Sequence, residues 1–152
     1  MAALLWVLAA VGDRVYFVAD DGVHGREPWV TEGTQATTRL LADLRPGPGS
    51  SAARELTVWG DRLVFAADDG VHGMELWRTG VTDLDADPPV MHELRPGPRP
   101  SSPMGLTVSN GRLFFFADDG VHGLEPWAWP IGGRFFEDGF ESGDATAWSW
   151  VQ

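Results

Sequence analysis

A chain of 152 residues with 22 acidic and 11 basic side chains and a formal charge of −11 has room for one moderate core. It contains no cysteine, which excludes disulfide frameworks, thiolate metal sites, iron–sulfur ligation and cysteine nucleophiles and leaves the compartment open. All the basic residues are arginines scattered singly, so the clustered cationic footprint of a nucleic-acid binder is missing, and an acidic surface favours cationic ligands over anionic membranes.

The opening run Met1 to Ala10 is apolar. It is too short to cross a bilayer and lacks the basic start of a secretory signal, so neither membrane insertion nor a clear signal peptide is expected. Leu8 to Val11 instead fills the place that Leu56 to Trp59 and Leu106 to Ser109 take further along, and reads as a strand. Next comes Val15-Tyr16-Phe17-Val18-Ala19, apolar at every position rather than alternating, which predicts a strand buried on both faces. Asp20 to Gly25, Asp-Asp-Gly-Val-His-Gly, follows as a hairpin loop in which glycines supply positive φ and aspartates cap backbone amides. The strand after it ends in Glu27-Pro28-Trp29, and its proline favours an edge or a bulge. Leu44-Arg45-Pro46-Gly47-Pro48 is then a turn.

The same landmarks then return in register. Leu63 to Ala67 precedes Asp68 to Gly73 and Trp77, and Leu94 to Pro98 repeats the Leu-Arg-Pro-Gly-Pro turn. Leu113 to Ala117 precedes Asp118 to Gly123 and Trp127, with Pro126 in the place of Pro28. The loops stand 48 and 50 residues apart. Four short strands per unit, for the middle one Arg62 to Ala67, Met74 to Arg78, Val90 to Leu94 and either Leu56 to Trp59 or Leu106 to Ser109, make an antiparallel β-meander. Radially repeated, such units predict an all-β, β-propeller-like fold of about two and a half blades. The repeat region is 1–133, with units near 8–55, 56–105 and 106–130, and 134–152 is a C-terminal tail.

These units resemble the ELWxxDGT repeat family. Gly73-Met74-Glu75-Leu76-Trp77 matches its Glu-Leu-Trp core, and Glu32-Gly33-Thr34 approximates Asp-Gly-Thr. Leu44 to Gly47 and Leu94 to Gly97 match its x-Pro-Gly turn, and Leu113 to Gly120 matches its Leu-Tyr-Phe-x-Ala-x-Asp-Gly strand. The resemblance covers about residues 8 to 130 and implies a propeller-like fold in a bacterial secreted or surface protein. Glu-Pro-Trp replaces Glu-Leu-Trp in two copies, and an acidic loop, Thr79 to Pro88, replaces the usual Asp-Gly-Thr segment in the second. The tail, with Phe135-Phe136-Glu137-Asp138-Gly139-Phe140-Glu141-Ser142-Gly143-Asp144, resembles a terminal segment of secreted proteobacterial proteins. It also resembles the first strand of jelly-roll carbohydrate-binding modules, but the chain ends too soon for a jelly roll.

One constellation carries possible chemistry. Asp21 with His24, Asp69 with His72, and Asp119 with His122 offer oxygen and imidazole groups to a divalent cation such as calcium or to a sugar. A pair that recurs once per blade is more economically a part of the blade, a turn closed by its own side chains. Asp83-Leu84-Asp85-Ala86-Asp87 starts like a calcium-binding EF-hand loop, but Pro88 and Leu94 replace its required Gly and Glu. No serine lies in a nucleophile elbow, and Tyr16 is the only tyrosine. The expected function is therefore non-catalytic: a structural and interaction module of a secreted or cell-surface bacterial protein, part of a larger propeller, with no cofactor. The alternative is a carbohydrate- or cation-binding module. Expected partners are further propeller repeats, copies of the chain, or an extracellular glycan or protein. An incomplete ring exposes its end faces, for which Leu4, Leu5, Trp6 and Leu8 at one end and Phe114, Phe116, Leu124 and Trp129 at the other are the candidates.

Overall fold

The computed structural model describes residues 8–79 and 88–130. The described residues form eleven strands in three antiparallel meanders. The first sheet contains β1 (Leu8–Val11), β2 (Arg14–Asp20), β3 (Arg26–Thr31) and β4 (Arg39–Leu40), with a 3-10 turn at Gln35–Thr37. The second contains β5 (Arg54–Trp59), β6 (Arg62–Asp68), β7 (Met74–Arg78) and β8 (Val90–His92). The third has β9 (Met104–Ser109), β10 (Arg112–Asp118) and β11 (Leu124–Pro130). Strand order follows chain order in every sheet, so Leu56 to Trp59 belongs with the strand that follows it. The predicted all-β, propeller-like architecture holds, as an incomplete arc.

Local chemistry explains the hairpins. The β9–β10 turn is Asn110-Gly111, both at positive φ (47° and 72°), the conformation whose twist matches two antiparallel strands. Proline behaves as its missing donor requires. Pro126 lies on β11, an edge strand among the described residues. Pro28 sits just outside the two-residue β3–β4 ladder, and its carbonyl still accepts from the Leu41 amide.

The sheets stack face to face, with β1 against β5 and β5 against β9. One core joins Tyr16, Val18 and Val30 of the first sheet to Leu63, Phe65, Ala67 and Trp77 of the second. A second core joins Trp59, Val64 and Leu76 to Leu113, Phe115, Ala117 and Trp129 of the third. Because side chains alternate along a strand, Leu63 to Ala67 feeds both cores at once, and all five residues are fully buried. Phe17, Phe65 and Phe115 are buried at equivalent places, each paired across the ladder with Trp29, Trp77 or Trp127.

Two expectations need correction. The third apolar strand is buried on one face only: Leu113, Phe115 and Ala117 are covered, whereas Phe114 and Phe116 are 38% and 48% exposed, because among the described residues no further sheet packs on that side. Trp129 is not an end-face residue. Its partner across the ladder is Leu113, which turns it into the second core, where its ring lies 5.2 Å from that of Trp59 and receives the edge of His92. Leu8, Phe114, Phe116 and Leu124 are exposed as expected. Leu4, Leu5 and Trp6, the Asp83 to Asp87 loop and the 134–152 tail lie outside the described residues.

Candidate functional site

The three Asp-Asp-Gly-Val-His-Gly loops have one geometry. The first aspartate ends a strand and caps the turn: Asp20, Asp68 and Asp118 each accept from the glycine amide two residues on, at 2.7, 2.7 and 2.6 Å. The second aspartate closes it. One oxygen of Asp21 accepts from the amides of Val23 (2.8 Å) and His24 (2.9 Å), and the other meets the His24 ring Nδ1 at 2.7 Å. Asp69 repeats this with Val71 and His72, and Asp119 with Val121 and His122, the carboxylate–imidazole distances being 2.6 and 2.8 Å.

This geometry shifts the titrations in a consistent direction. Hydrogen bonds from the His24 amide, the His24 ring and the Val23 amide hold the Asp21 carboxyl at about 2. Burial pushes the Asp119 and Asp69 carboxyls upward, but the same set of donors outweighs it, leaving Asp119 at about 2 and Asp69 lowered. The hydrogen bond to the aspartate raises His24 and His72 above their ordinary value.

The loop is fastened from behind by a residue that sequence reading passed over. Glu27 and Glu75, in the x-Glu-(Pro/Leu)-Trp strands, are fully buried. Glu27 accepts from the amides of Leu44 (3.1 Å) and Ser51 (2.8 Å), so it grips both ends of the Arg-Pro-Gly-Pro turn. Glu75 does the same with Leu94 (2.8 Å) and Ser101 (2.9 Å) and also accepts from the Ser101 hydroxyl (2.7 Å). Burial raises both carboxyls, opposed by these donors. The only available signal was the glutamate's recurrence at a fixed place in otherwise apolar strands.

The turn gripped by the glutamate then reaches the next sheet. Arg45 pairs with Asp68 at 3.5 Å and Arg95 with Asp118 at 2.6 Å, and the Ser51 and Ser101 carbonyls accept from the Asp68 and Asp118 amides. Nearer the inner strands, Glu55 accepts from the amides of Gly105 and Leu106, and the Trp59 indole donates to the Gly111 carbonyl at 2.9 Å. The loops are thus the visible ends of a polar seam that runs from sheet to sheet beside the apolar cores.

Among the described residues no three His, Asp or Glu side chains come together as a metal cluster. An open hollow of about 600 Å³ lies at the hairpin tips Gly12-Asp13 and Gly60-Asp61, where Arg14 and Glu32 are bonded to each other at 3.1 Å. No described helix is long and apolar enough to cross a membrane. Comparison with protein-family models, with curated proteins and with solved structures finds no match.

Proposed function

We propose that the chain is a non-catalytic structural and interaction module: an arc of propeller-type blades of the kind that the ELWxxDGT resemblance associates with bacterial secreted or surface proteins. One observation carries this reading. In all three loops both oxygens of the second aspartate are engaged within the loop, by two amides and an imidazole, so the repeated Asp–His pair acts as a brace. Capture by the Asp21, Asp69 or Asp119 oxygens would compete with these bonds, and His24, His72 and His122 would have to act through Nε2, the ring nitrogen that the brace does not use.

Differential scanning calorimetry separates the two roles. A brace predicts that millimolar calcium or simple sugars leave the melting temperature unchanged and that Asp69→Ala lowers it. A cation site predicts a rise, about 2.7 kcal/mol of stabilisation at a hundredfold excess over Kd. A calcium-dependent rise that disappears in Asp69→Ala and Asp119→Ala would overturn the structural reading.

A further inference from the structure

The first two blades end in the same way. After the fourth strand the chain turns across the glutamate of the third strand and along the forward face, the side on which the next sheet packs. Glu27, opposite Ala19 on β2, accepts from the amides 17 and 24 residues further on, those of Leu44 and Ser51. Glu75, opposite Ala67 on β6, accepts from those 19 and 26 residues on, Leu94 and Ser101. The turn presses on the last glycine of the loop: a Cβ at Gly25 would lie 2.6 Å from the Gly49 carbonyl oxygen, and one at Gly73 2.9 Å from the Pro100 nitrogen. On its way this segment gives Leu41, Ala42, Leu44 and Ala53 to the first core and Leu94 to the second.

The third sheet repeats the parts of this seat, and among the described residues no turn fills it. Glu125 holds the glutamate's place, opposite Ala117 on β10. No described strand borders the outer edge of β11, where β4 and β8 cover the equivalent edges of β3 and β7. No described residue comes within 4 Å of a Cβ placed on Gly123. On the forward face, Phe114 and Phe116 are 38% and 48% exposed beside a hollow of about 290 Å³ bounded by Gly105, Pro126 and Ala128, whereas their equivalents Val64 and Ala66 are fully buried. An exposed apolar sheet face of this kind marks an interaction surface.

We propose that residues 131–152, the segment that continues from β11, fill this seat and cap the third blade, with Glu125 accepting from the amides of Ser142 and Ser149. Spacing singles out this occupant. The first-unit offsets of 17 and 24 residues, counted from Glu125, fall on Ser142 and Ser149, and the second is again a serine, as Ser51 and Ser101 are. A contour that suffices in the first unit therefore suffices here. Composition agrees, because the segment carries Phe140, Trp148 and Trp150 to lay on Phe114 and Phe116 in the place of a further sheet. Connection favours it as well: a tethered segment meets the site at an effective concentration on the order of millimolar, which no second copy at micromolar concentration matches.

One difference from the earlier turns fits a cap. Arg45 and Arg95 reach from their turns to an aspartate of the next sheet, and a cap needs no such tie. Arg-Pro-Gly-Pro does not recur after Pro98. The proposal concerns the third blade alone and stands whether the Asp–His loops brace their turns or bind calcium.

Hydrogen–deuterium exchange of the whole chain, followed by mass spectrometry at about 1 and 100 μM, tests it. The amides from Ser142 to Ser149 should exchange at least about tenfold more slowly than those of an unstructured chain, and equally so at both concentrations. Glu125→Ala should return them to the unstructured rate while the Leu44 to Ser51 and Leu94 to Ser101 turns keep theirs. Should Glu125→Ala lose the third sheet, Ser149→Pro removes one of the two gripped amides from the other side and should release the segment with the sheets intact. Unprotected amides from Ser142 to Ser149 in the wild type would overturn the proposal, as would protection that survives the substitution used. Protection present only at 100 μM would overturn it too, and would give the face to a second copy.

Discussion

Glu75 shows how much one side chain holds. Its carboxylate answers three donors inside the protein, so Glu75→Ala leaves the Leu94 and Ser101 amides and the Ser101 hydroxyl to find others, at a cost on the order of 3 kcal/mol by urea denaturation. Glu75→Gln is no rescue, because the amide nitrogen would face donors. Gly73 is equally constrained, with φ at +76° and a Cβ position only 2.9 Å from the Pro100 nitrogen. Gly73→Ala is therefore expected to lower stability by about 1–3 kcal/mol, and most of that loss should be local to the loop. The Asp–His braces make stability depend on pH with a definite sign. Depressed aspartates contribute fully above their ordinary value of 3.8, and the contribution is lost as pH falls through about 2. Raised histidines contribute fully below 6.5, and theirs is lost as pH rises through the higher folded value. Burial raises Glu27 and Glu75 as well, which adds a loss of the same sign that begins above their ordinary value of 4.5. The melting temperature should thus be greatest in mildly acid solution and decline toward pH 8, and His72→Ala should flatten that upper limb. An unchanged slope in His72→Ala would show that the imidazole is not charged in the brace. The aspartates and histidines were legible from their recurrence. The glutamates were not, because a carboxylate in an apolar strand declares its role only when the amides it meets, 17 to 26 residues away, are seen.

At the scale of the element, the three apolar strands were plain in sequence but their surroundings were not. Leu63 to Ala67 and Leu113 to Ala117 follow the same pattern, which by itself predicts the same burial for both; only the count of blades marks Phe114 and Phe116 as an end face. The difference arises because the second sheet has a neighbour on each side and the third, among the described residues, has one. Burial is set by what packs across a face, and no pattern within a strand encodes that. Trp129 was misjudged for a related reason. It follows the in-register Trp127 by two residues, so it shares that residue's inward face. Substitution should bring out the contrast between sites: Phe65→Ala removes a side chain with no exposed surface and should cost about 3–5 kcal/mol. The same change at exposed Val121 should fall within about 0.5 kcal/mol, and equal losses at the two sites would contradict the arrangement of the cores.

For the molecule as a whole, charge and connectivity set the behaviour. A net charge of −11 on a chain of this size opposes compaction, so raising salt from about 10 to 300 mM should increase the melting temperature by screening the repulsion. Partly exposed ties run the other way. The closer Arg95–Asp118 pair should be worth more than Arg45–Asp68, each no more than about 1 kcal/mol, and Arg95→Ala should therefore show the larger loss at low salt. Both arginines were read only as parts of a turn, although each stands 23 residues before the aspartate it meets, a spacing that repeats with the unit. A sheet clasped on both faces has a further consequence, for the order in which the molecule comes apart. The two outer sheets each border one core and the middle sheet borders two, so opening an end breaks one set of contacts while opening the centre breaks both. Under native conditions the amides of β6 and β7 should exchange with deuterium last, through global unfolding alone, while those of β4 and β11 exchange earlier through fraying from the ends.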